Sequence, residues 1–130
     1  SEGEVVMKIL AVDDDELMLK FINTALNSEN HEVQNASSVD EALMMLQNNS
    51  YDLVITDIVM PGYDGTTLMQ YIREGEQHIP ILAITAGVEN AVSDYKYYAD
   101  FFSDETLTKP FKKDDLLNSV KKLTAVEVAH

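Results

Sequence analysis

The chain has 130 residues, 45% of them hydrophobic and 25% charged, which suits one globular domain over 1–130. It contains no cysteine, which excludes disulfides, zinc–thiolate sites, iron–sulfur clusters and a cysteine nucleophile. Nine lysines and arginines against 23 aspartates and glutamates give a net charge of −14, so we expect no direct contact with nucleic acid, whose binding depends on clustered basic side chains.

Apolar runs and helical patterns alternate along the chain. Residues 5–12 predict a buried first strand, and 15–28 carries apolar residues at helical spacing. A weaker second strand is expected over 31–36. Ser38 and Glu41 then form a capping box, in which the serine oxygen accepts from the third backbone N–H and the glutamate reaches back. The inner face of the helix that follows is predicted to comprise Val39, Ala42, Leu43 and Leu46.

The middle of the chain repeats this alternation. A third strand is expected over 52–56 and is closed by Asp57. The loop after it is marked by three turn-forming residues: Pro61, Gly62 and Gly65. The third helix is expected to stop near Gly75 and to direct three side chains inward: Leu68, Tyr71 and Ile72.

The last third of the chain completes the pattern. A fourth strand is expected over 79–84, where Pro80 is tolerable only at the start. A helix from 89 to about 101 and a brief strand over 106–108 follow, and the strand runs into Lys109. The last helix is predicted to bury one face: Leu116, Val120 and Leu123. Five strands alternating with five helices predict an α/β fold with a parallel sheet covered on both faces.

Polar side chains follow four of the predicted strands. They are Asp13, Asp14 and Asp15 after the first, Asp57 after the third, Thr85 after the fourth and Lys109 after the fifth. Ligands of such sheets bind beyond the carboxyl ends of the strands, so we expect these groups to share a pocket. Crowded carboxylates resist ionisation without a cation, and Mg²⁺, with Mn²⁺ as a substitute, prefers oxygen ligands. The lysine ammonium and the threonine hydroxyl suit phosphoryl oxygens.

These positions resemble the receiver domains of response regulators in two-component signalling. The resemblance is carried by VDDDE at 12–16, DIVMPGYDG at 57–65, TA at 85–86 and KPF at 109–111. It covers about residues 7–124, so we expect a receiver core over that range with short tails. It implies a flavodoxin-like fold: a five-stranded parallel sheet of order 2-1-3-4-5, doubly wound with five helices.

The resemblance also implies a role for each acid. Asp57 is expected to accept a phosphoryl group from the phosphohistidine of a sensor histidine kinase or a histidine phosphotransfer protein. Asp14, Asp57 and the backbone carbonyl of Val59 are expected to bind Mg²⁺ directly, and Asp13 through a metal-bound water. Asp15 is expected instead to cap the first helix, where its charge suits the positive end of the helix dipole.

Two further residues acquire roles from the same resemblance. Lys109 is expected to neutralise the phosphoryl group, and the bond from Lys109 to Pro110 is expected to be cis. Thr85 is expected to move toward the phosphoryl group and to draw the loop after its strand with it. Phosphorylation would thereby change a partner-binding surface.

The sequence departs from the family pattern at several positions. Thr106 stands at the switch position where most receivers carry tyrosine or phenylalanine, so the usual aromatic switch is absent or served by another residue. Phe102 replaces a glycine that is usual before the fifth strand. Neither Val59 nor Gly87 can hold a hydrolytic water through its side chain, so we expect slow loss of the phosphoryl group. The chain is expected to be a regulator with at most weak autophosphatase activity, not an enzyme.

An unknown output protein or domain is expected to bind within 88–122. Half of the ten aromatic residues of the chain lie between Thr85 and Lys109: Tyr95, Tyr97, Tyr98, Phe101 and Phe102. Part of this group is predicted to be an exposed docking surface, including one for a phosphorylation-dependent dimer. Tyr95, Tyr98 and Phe102 share one helical face, which favours a core role for those three.

The sequence leaves alternatives open. A degenerate receiver that acts as a phosphorylation-independent scaffold is one, and the receiver part of a larger transcriptional or hybrid-kinase protein is another. An aspartyl phosphohydrolase is disfavoured, because Val59 stands where such enzymes place a second acid. No apolar run approaches the roughly 18 residues of a membrane span and no cleavable signal is recognisable, so we expect no membrane contact and a cytoplasmic location.

Overall fold

The computed structural model of the protein describes residues 7–60, 63–86 and 99–128. The strands are β1 (Lys8–Val12), β2 (Glu32–Ala36), β3 (Leu53–Asp57), β4 (Val59–Met60), β5 (Tyr63–Asp64), β6 (Ile81–Ala86) and β7 (Glu105–Lys109). The helices are α1 (Glu16–Asn27), α2 (Val39–Asn48), α3 (Gly65–Glu74) and α4 (Lys113–Val128). Residues 99–102 are also helical, and the rest of the helix predicted over 89–101 lies outside the described residues.

The main sheet has five parallel strands in the order β2-β1-β3-β6-β7. Numbered among themselves, these strands follow the order 2-1-3-4-5, which confirms the predicted doubly wound α/β fold. In the sheet, β2 lies on one side of β1, and β3 with the later strands lies on the other side, so the strand order reverses at β1. The carboxyl ends of β1 and β3 therefore lie side by side at this switch point.

A short antiparallel pair interrupts the loop after β3. Val59 pairs with Asp64 and Met60 with Tyr63. The sequence predicted only a loop here, because two-residue strands leave no periodic pattern.

Each face of the sheet packs against its own set of helices. On one face, Leu10, Val54 and Ile81 pack against apolar residues of α2 and α3. On the other, Ile9, Ile55 and Leu82 pack against α1 and α4. Because successive side chains of a strand point to opposite faces, strands buried on both faces are apolar throughout. The predicted inner face of the last helix is confirmed by the burial of Leu116, Val120 and Leu123.

The helix starts follow the predicted capping chemistry. Ser38 is the N-cap of α2, and its side chain accepts from the backbone N–H of Glu41. The carboxylate of Glu41 reaches back to the backbone N–H of Ser37, one residue outside the cap. The inward positions Val39 and Ala42 are buried, whereas Leu43 and Leu46 are partly buried against the same core.

One predicted core residue is wrong. Tyr71 is 41% exposed, whereas Leu68, Met69 and Ile72 are buried. At 3.6 residues per turn, the stripe formed by those three residues centres about 100° around the helix from Tyr71. The buried face of α3 therefore includes Met69, which was not among the predicted inward residues, in place of Tyr71.

The fourth strand of the sheet also begins later than predicted. Ile79 is buried but precedes the strand, and β6 begins directly after Pro80. The strand also ends later than predicted, at Ala86, so Thr85 lies within it. Among the described residues, no helix is long and apolar enough to cross a membrane.

Candidate functional site

Three carboxylates meet where β1 and β3 end side by side. Asp13 and Asp14 directly follow β1, and Asp57 is the last residue of β3. One oxygen from each of these side chains lies within 4.8 Å of the others. Asp13 and Asp57 are buried, whereas Asp14 is exposed. The structure therefore brings together the three acids that the sequence proposed as a group.

Asp13 is the most enclosed of the three acids. Its Oδ1 accepts from the backbone N–H of Asp15 at 2.8 Å, while its Oδ2 is buried without a hydrogen-bond partner in the described part of the chain. Burial raises the pKa of Asp13 to about 6; repulsion from Asp57 adds to this, and the N–H of Asp15 opposes it. A buried carboxylate oxygen without a donor is costly unless a cation or proton satisfies it.

The chemistry of this cluster fits a hard divalent cation. All three side chains offer carboxylate oxygens, one of them is orphaned, and an exposed acid leaves room for water ligands. Mg²⁺ is commonly held in this way, by one or two carboxylates with waters and phosphate oxygens. The donor set therefore fits the magnesium that the sequence predicted.

Asp15 caps a helix and is not one of the three clustered acids, as predicted. It is the N-cap of α1, and its side chain accepts from the backbone N–H of Leu17 at 3.0 Å. Its backbone N–H meanwhile donates to Asp13. The residue thus joins the helix start to the acidic cluster without being one of its three carboxylates.

Lys109 approaches the cluster from the far edge of the sheet. Its Nζ lies 3.1 Å from Oδ2 of Asp57, so the side chain spans from β7 past β6 to β3. Burial alone lowers the pKa of Lys109, but attraction to Asp57 and their hydrogen bond outweigh it, and the net shift is upward. The ammonium is therefore held charged beside Asp57. The Lys109–Pro110 bond is cis, as predicted.

Thr85 lies one residue beyond Ile84, the register partner of Asp57 on β6. Its side chain is buried, and its Oγ1 lies 3.4 Å from Oγ1 of Thr108 on β7. No sequence pattern indicated Thr108 as a site residue. The register of β6 and β7, which pairs these two threonines, cannot be read from either segment alone.

The remaining predicted positions have different outcomes. Val59 opens β4, two residues after Asp57, and the role predicted for its carbonyl stays a prediction. Thr106 is half-buried on β7, opposite Ala83. Gly87 lies outside the described residues.

The aromatic group predicted at 95–102 is described only at its end, and its tyrosines lie outside the described residues: Tyr95, Tyr97 and Tyr98. Phe101 is 71% exposed, whereas Phe102 packs partly buried against the core on the α2 and α3 face. The two rings form an edge-to-face pair with centroids 4.9 Å apart. The described part of the group therefore combines one exposed and one core-facing ring.

A groove of about 790 Å³ lies beside the site, between β7 and α4. Its lining includes Thr106, Thr108 and Phe111 from the β7 side and Ser119 and Lys122 from α4. The groove falls within the span 88–122 that the sequence assigned to an output partner. Thr108 belongs to both this groove and the contact with Thr85.

Comparisons with known proteins agree with this geometry. A family model described as "Response regulator receiver domain" matches residues 9–121. The heme response regulator HssR of Staphylococcus epidermidis is 33% identical over 116 residues, which cover 89% of this chain and 50% of HssR. The response regulator MprA of Mycobacterium leprae is 32% identical over 117 residues, with coverages of 90% and 50%. The chain thus spans about half the length of these relatives.

Solved structures show the same likeness. The response regulator TrrA of Thermotoga maritima, crystallised in complex with Mg²⁺-BeF, superposes with a TM-score of 0.77 at 34% identity, covering 89% of this chain and 97% of TrrA. The chemotaxis response regulator CheY4 of Vibrio cholerae gives a TM-score of 0.82 at 26% identity, with coverages of 92% and 99%. The similarity therefore extends over most of this chain.

Proposed function

This chain belongs to the response regulator receiver domain family of two-component systems, and we propose that it accepts a phosphoryl group on Asp57 and thereby changes its partner-binding surface. One observation carries the proposal. Asp57 is the acid that both belongs to the cluster with Asp13 and Asp14 and contacts the Lys109 ammonium. It therefore faces negative groups on one side and a positive group on the other.

The proposed step is a phosphoryl transfer between two side chains. A carboxylate oxygen of Asp57 attacks the phosphorus of a phosphohistidine in the donor, forming a P–O bond as the P–N bond breaks. The imidazole leaves with the electron pair of that bond, and Asp57 becomes an acyl phosphate. Lys109, already 3.1 Å from Asp57, supplies an ammonium for the phosphoryl oxygens. The Thr85 hydroxyl is the proposed second donor to them.

Asp13, Asp14 and Asp57 would hold Mg²⁺, together with the carbonyl of Val59. When bound, the ion supplies positive charge that offsets the charge of the incoming phosphoryl group. Asp13 meanwhile keeps the orientation set by its bond from the N–H of Asp15. This hydrogen bond holds one carboxylate oxygen of Asp13 on the protein, so the other oxygen is the one that would face the cation.

The phosphodonor needs a surface close to Asp57, and exposed apolar side chains at the start of α1 provide one. Leu17, two residues past the N-cap, is 77% exposed. Phe21, one turn later, packs edge to face on Phe111, which follows Lys109 by two residues. We propose that the phosphohistidine-bearing protein rests on Leu17, Phe21 and Phe111. Leu17→Ser should then weaken transfer from the protein donor and leave phosphorylation by acetyl phosphate unchanged.

The output surface is proposed to lie within 88–122, for a protein or domain of unknown identity or for a second copy of the chain. The exposed ring of Phe101 and the groove between β7 and α4 support this placement. We further propose that the chain turns over no substrate of its own and loses its phosphoryl group slowly. The alternative function is that of a phosphorylation-independent scaffold, because Thr106 replaces the usual aromatic side chain at the switch position.

Chemical mapping of the acceptor tests the proposal. The protein is incubated with Mg²⁺ and acetyl phosphate, reduced with borohydride and digested, so that an acyl phosphate on aspartate becomes homoserine. Homoserine at position 57 alone is the expected result. Conversion at Asp13 or Asp14 would move the acceptor, and no conversion at any position would favour the scaffold.

A further inference from the structure

A second groove, of about 400 Å³, lies between the C-terminal ends of α2 and α3. Its apolar lining comprises Leu46 from α2, Tyr71 and Ile72 from α3, and Ile79 from the segment before β6. Ile79 lies two residues before β6, so the groove is at the amino end of that strand, whereas Asp57 is at the carboxyl end of the neighbouring strand. The groove is therefore at the opposite end of the sheet from the acidic cluster.

The groove combines an apolar floor with a polar rim. Ile72 and Ile79 are buried in the core beneath it, whereas Tyr71 on its wall is exposed. The remaining lining is polar apart from Gly75 and includes Gln47, Glu76 and Gln77. In protein interfaces, an exposed aromatic side chain beside an apolar depression, surrounded by polar groups, is the arrangement that supplies most of the binding energy.

The exposed apolar side chains of this face have no role in the proposed phosphoryl chemistry. Met44, 58% exposed, lies one turn before Gln47 on α2 and extends the apolar surface beyond the groove. It is one of five exposed large apolar side chains in the described part of the chain: Leu17, Phe21, Met44, Tyr71 and Phe101. Three of these belong to the surfaces proposed above for the phosphodonor and the output partner. Met44 and Tyr71, both beside the groove, are left unassigned.

The charge of this face is one-sided. Arg73 is the only lysine or arginine within 21–95, and its guanidinium donates to the carboxylate of Asp104 and to two backbone carbonyls. Its charge is thus engaged with the segment before β7. Four exposed acids lie on α2, on α3 and just after α3: Asp40, Glu41, Glu74 and Glu76. The face that holds the groove is therefore negative.

We propose that this groove docks a cationic amphipathic segment of a partner protein, with its apolar side chains against Tyr71 and Leu46 and its basic side chains toward the acids of the rim. Charge complementarity selects this occupant. A second copy of the chain carries a net charge of −14 and would place acids against acids. An amphipathic helix that lays its apolar face in a groove is a common mode of recognition. Because the groove is remote from Asp57, we expect binding without phosphorylation.

The experiment measures binding of the unphosphorylated chain to a short helical peptide of leucine and lysine, with the leucines on one face, by calorimetry at pH 7.5. Tyr71→Ala should weaken binding about tenfold, the effect of losing an aromatic anchor, whereas Tyr71→Phe should bind like the wild type. Gly75→Leu should weaken binding similarly by occupying the groove. A Cβ at Gly75 would meet only the carbonyl oxygens of Ile72 and Tyr71, at 3.5 and 3.6 Å, which are ordinary contacts.

Matched variants and peptides separate docking in the groove from a general attraction between opposite charges. Glu74→Gln should weaken binding about twofold, whereas Glu29→Gln, an exposed acid after α1, should not change it. A peptide with glutamate in place of lysine should not bind. Shifts of backbone amide resonances on adding the lysine peptide should centre on the C-terminal turns of α2 and α3 and on 75–79.

Several results would overturn the proposal while leaving phosphorylation of Asp57 unaffected. They are no binding of the lysine peptide to the wild type, equal binding of the glutamate peptide, resonance shifts centred elsewhere, or an affinity unchanged in both Tyr71→Ala and Gly75→Leu. Sedimentation provides a further check. A wild-type dimer that Tyr71→Ala dissociates would assign the groove to a second copy and contradict the cationic occupant.

Discussion

The ammonium of Lys109 lies 3.1 Å from a carboxylate oxygen of Asp57, although the two residues are 52 positions apart in the chain. The contact crosses three strands of the sheet, from β7 past β6 to β3. It leaves Asp57 between one cation and two other acids, Asp13 and Asp14. A phosphoryl group on Asp57 would add negative charge in that position, which the Lys109 ammonium beside it would offset.

Lys109→Met should slow phosphorylation by acetyl phosphate by about tenfold or more, equivalent to about 1.4 kcal/mol of lost transition-state stabilisation. The change removes the ammonium and keeps most of the apolar stem. Intact mass over time gives the rate. Lys112→Met, an exposed lysine three residues later, is the matched control, and equal rates in the two variants would refute the role of Lys109.

The stability of the metal-free protein should depend on pH through Asp13. Its pKa is about 6 in the folded protein against an ordinary value of 3.8, so between these values the folded state binds more protons than the unfolded state. Stability from this group is therefore complete below about pH 4 and is lost as the pH rises toward 6 and beyond. Asp13→Asn should be more stable than the wild type at pH 7.5, on the order of 2–3 kcal/mol, and equal to it near pH 4.

Urea unfolding in EDTA at the two pH values tests this expectation. Asn can keep the bond from the N–H of Asp15, because only the unpartnered oxygen is replaced. A stability difference between wild type and Asp13→Asn that does not change with pH would show that the buried charge is not its cause.

Adding Mg²⁺ at neutral pH should stabilise the protein, because the cation binds the folded acidic cluster and not the unfolded chain. At ten times Kd the gain is about 1.4 kcal/mol. Thermal unfolding with and without Mg²⁺ measures it. The gain should vanish in Asp13→Asn and persist in Glu76→Gln, an exposed acid in the loop after α3. An equal gain in both variants would point to binding elsewhere.

The phosphoryl group on Asp57 should be long-lived, because Val59 offers no polar side chain to orient an attacking water. Val59→Asn should shorten the lifetime about tenfold, the effect of about one hydrogen bond to the attacking water. Loss of the phosphoprotein mass after removal of acetyl phosphate gives the lifetime. Val59→Leu is the apolar control, and an unchanged lifetime in Val59→Asn would contradict the expectation.

Asn30 closes the turn after α1 with φ of 68°, in the left-handed region. Asn30→Gly should keep or slightly raise stability, whereas Asn30→Ala should lower it by about 1 kcal/mol, because alanine resists this conformation. Urea unfolding compares the three proteins. An alanine variant as stable as the glycine variant would show that the backbone of this turn differs from the described one.

Much of the fold could be predicted because local patterns agree with the topology. Alternation of apolar runs with helical spacing is a local signal, and it located β2, β3, α1 and the start of α2 closely. The predicted first strand, 5–12, starts before β1, which begins at Lys8; Met7 is not part of the strand, and residues 5–6 lie outside the described part of the chain. The prediction that Tyr71 points inward was wrong because apolar residues three or four positions apart define a stripe along α3 but not which edge of that stripe faces the core. The predicted start of the fourth strand was two residues early because Ile79 and Pro80 continue its apolar pattern, although β6 begins at Ile81. The carbonyl of Pro80 already accepts from the backbone N–H of Val54 on β3, so pairing begins at the residue before the strand.

The candidate site could be predicted as a set of residues, since its members stand at strand ends, where a doubly wound sheet gathers them. Two properties of the site could not be predicted from the sequence. The orphaned oxygen of Asp13 results from burial of its side chain in the folded protein, which no single stretch of sequence reports. The contact between Thr85 and Thr108 depends on the register of two strands that lie about twenty residues apart.

The most direct test of phosphoryl acceptance by Asp57 is the intact mass of the protein after incubation with Mg²⁺ and acetyl phosphate, beside Asp57→Asn treated identically. A single added phosphate on the wild type and none on Asp57→Asn is the predicted result. Equal addition to both proteins would contradict the assignment of Asp57. No addition to the wild type, in a protein that binds Mg²⁺, would contradict its competence as a receiver.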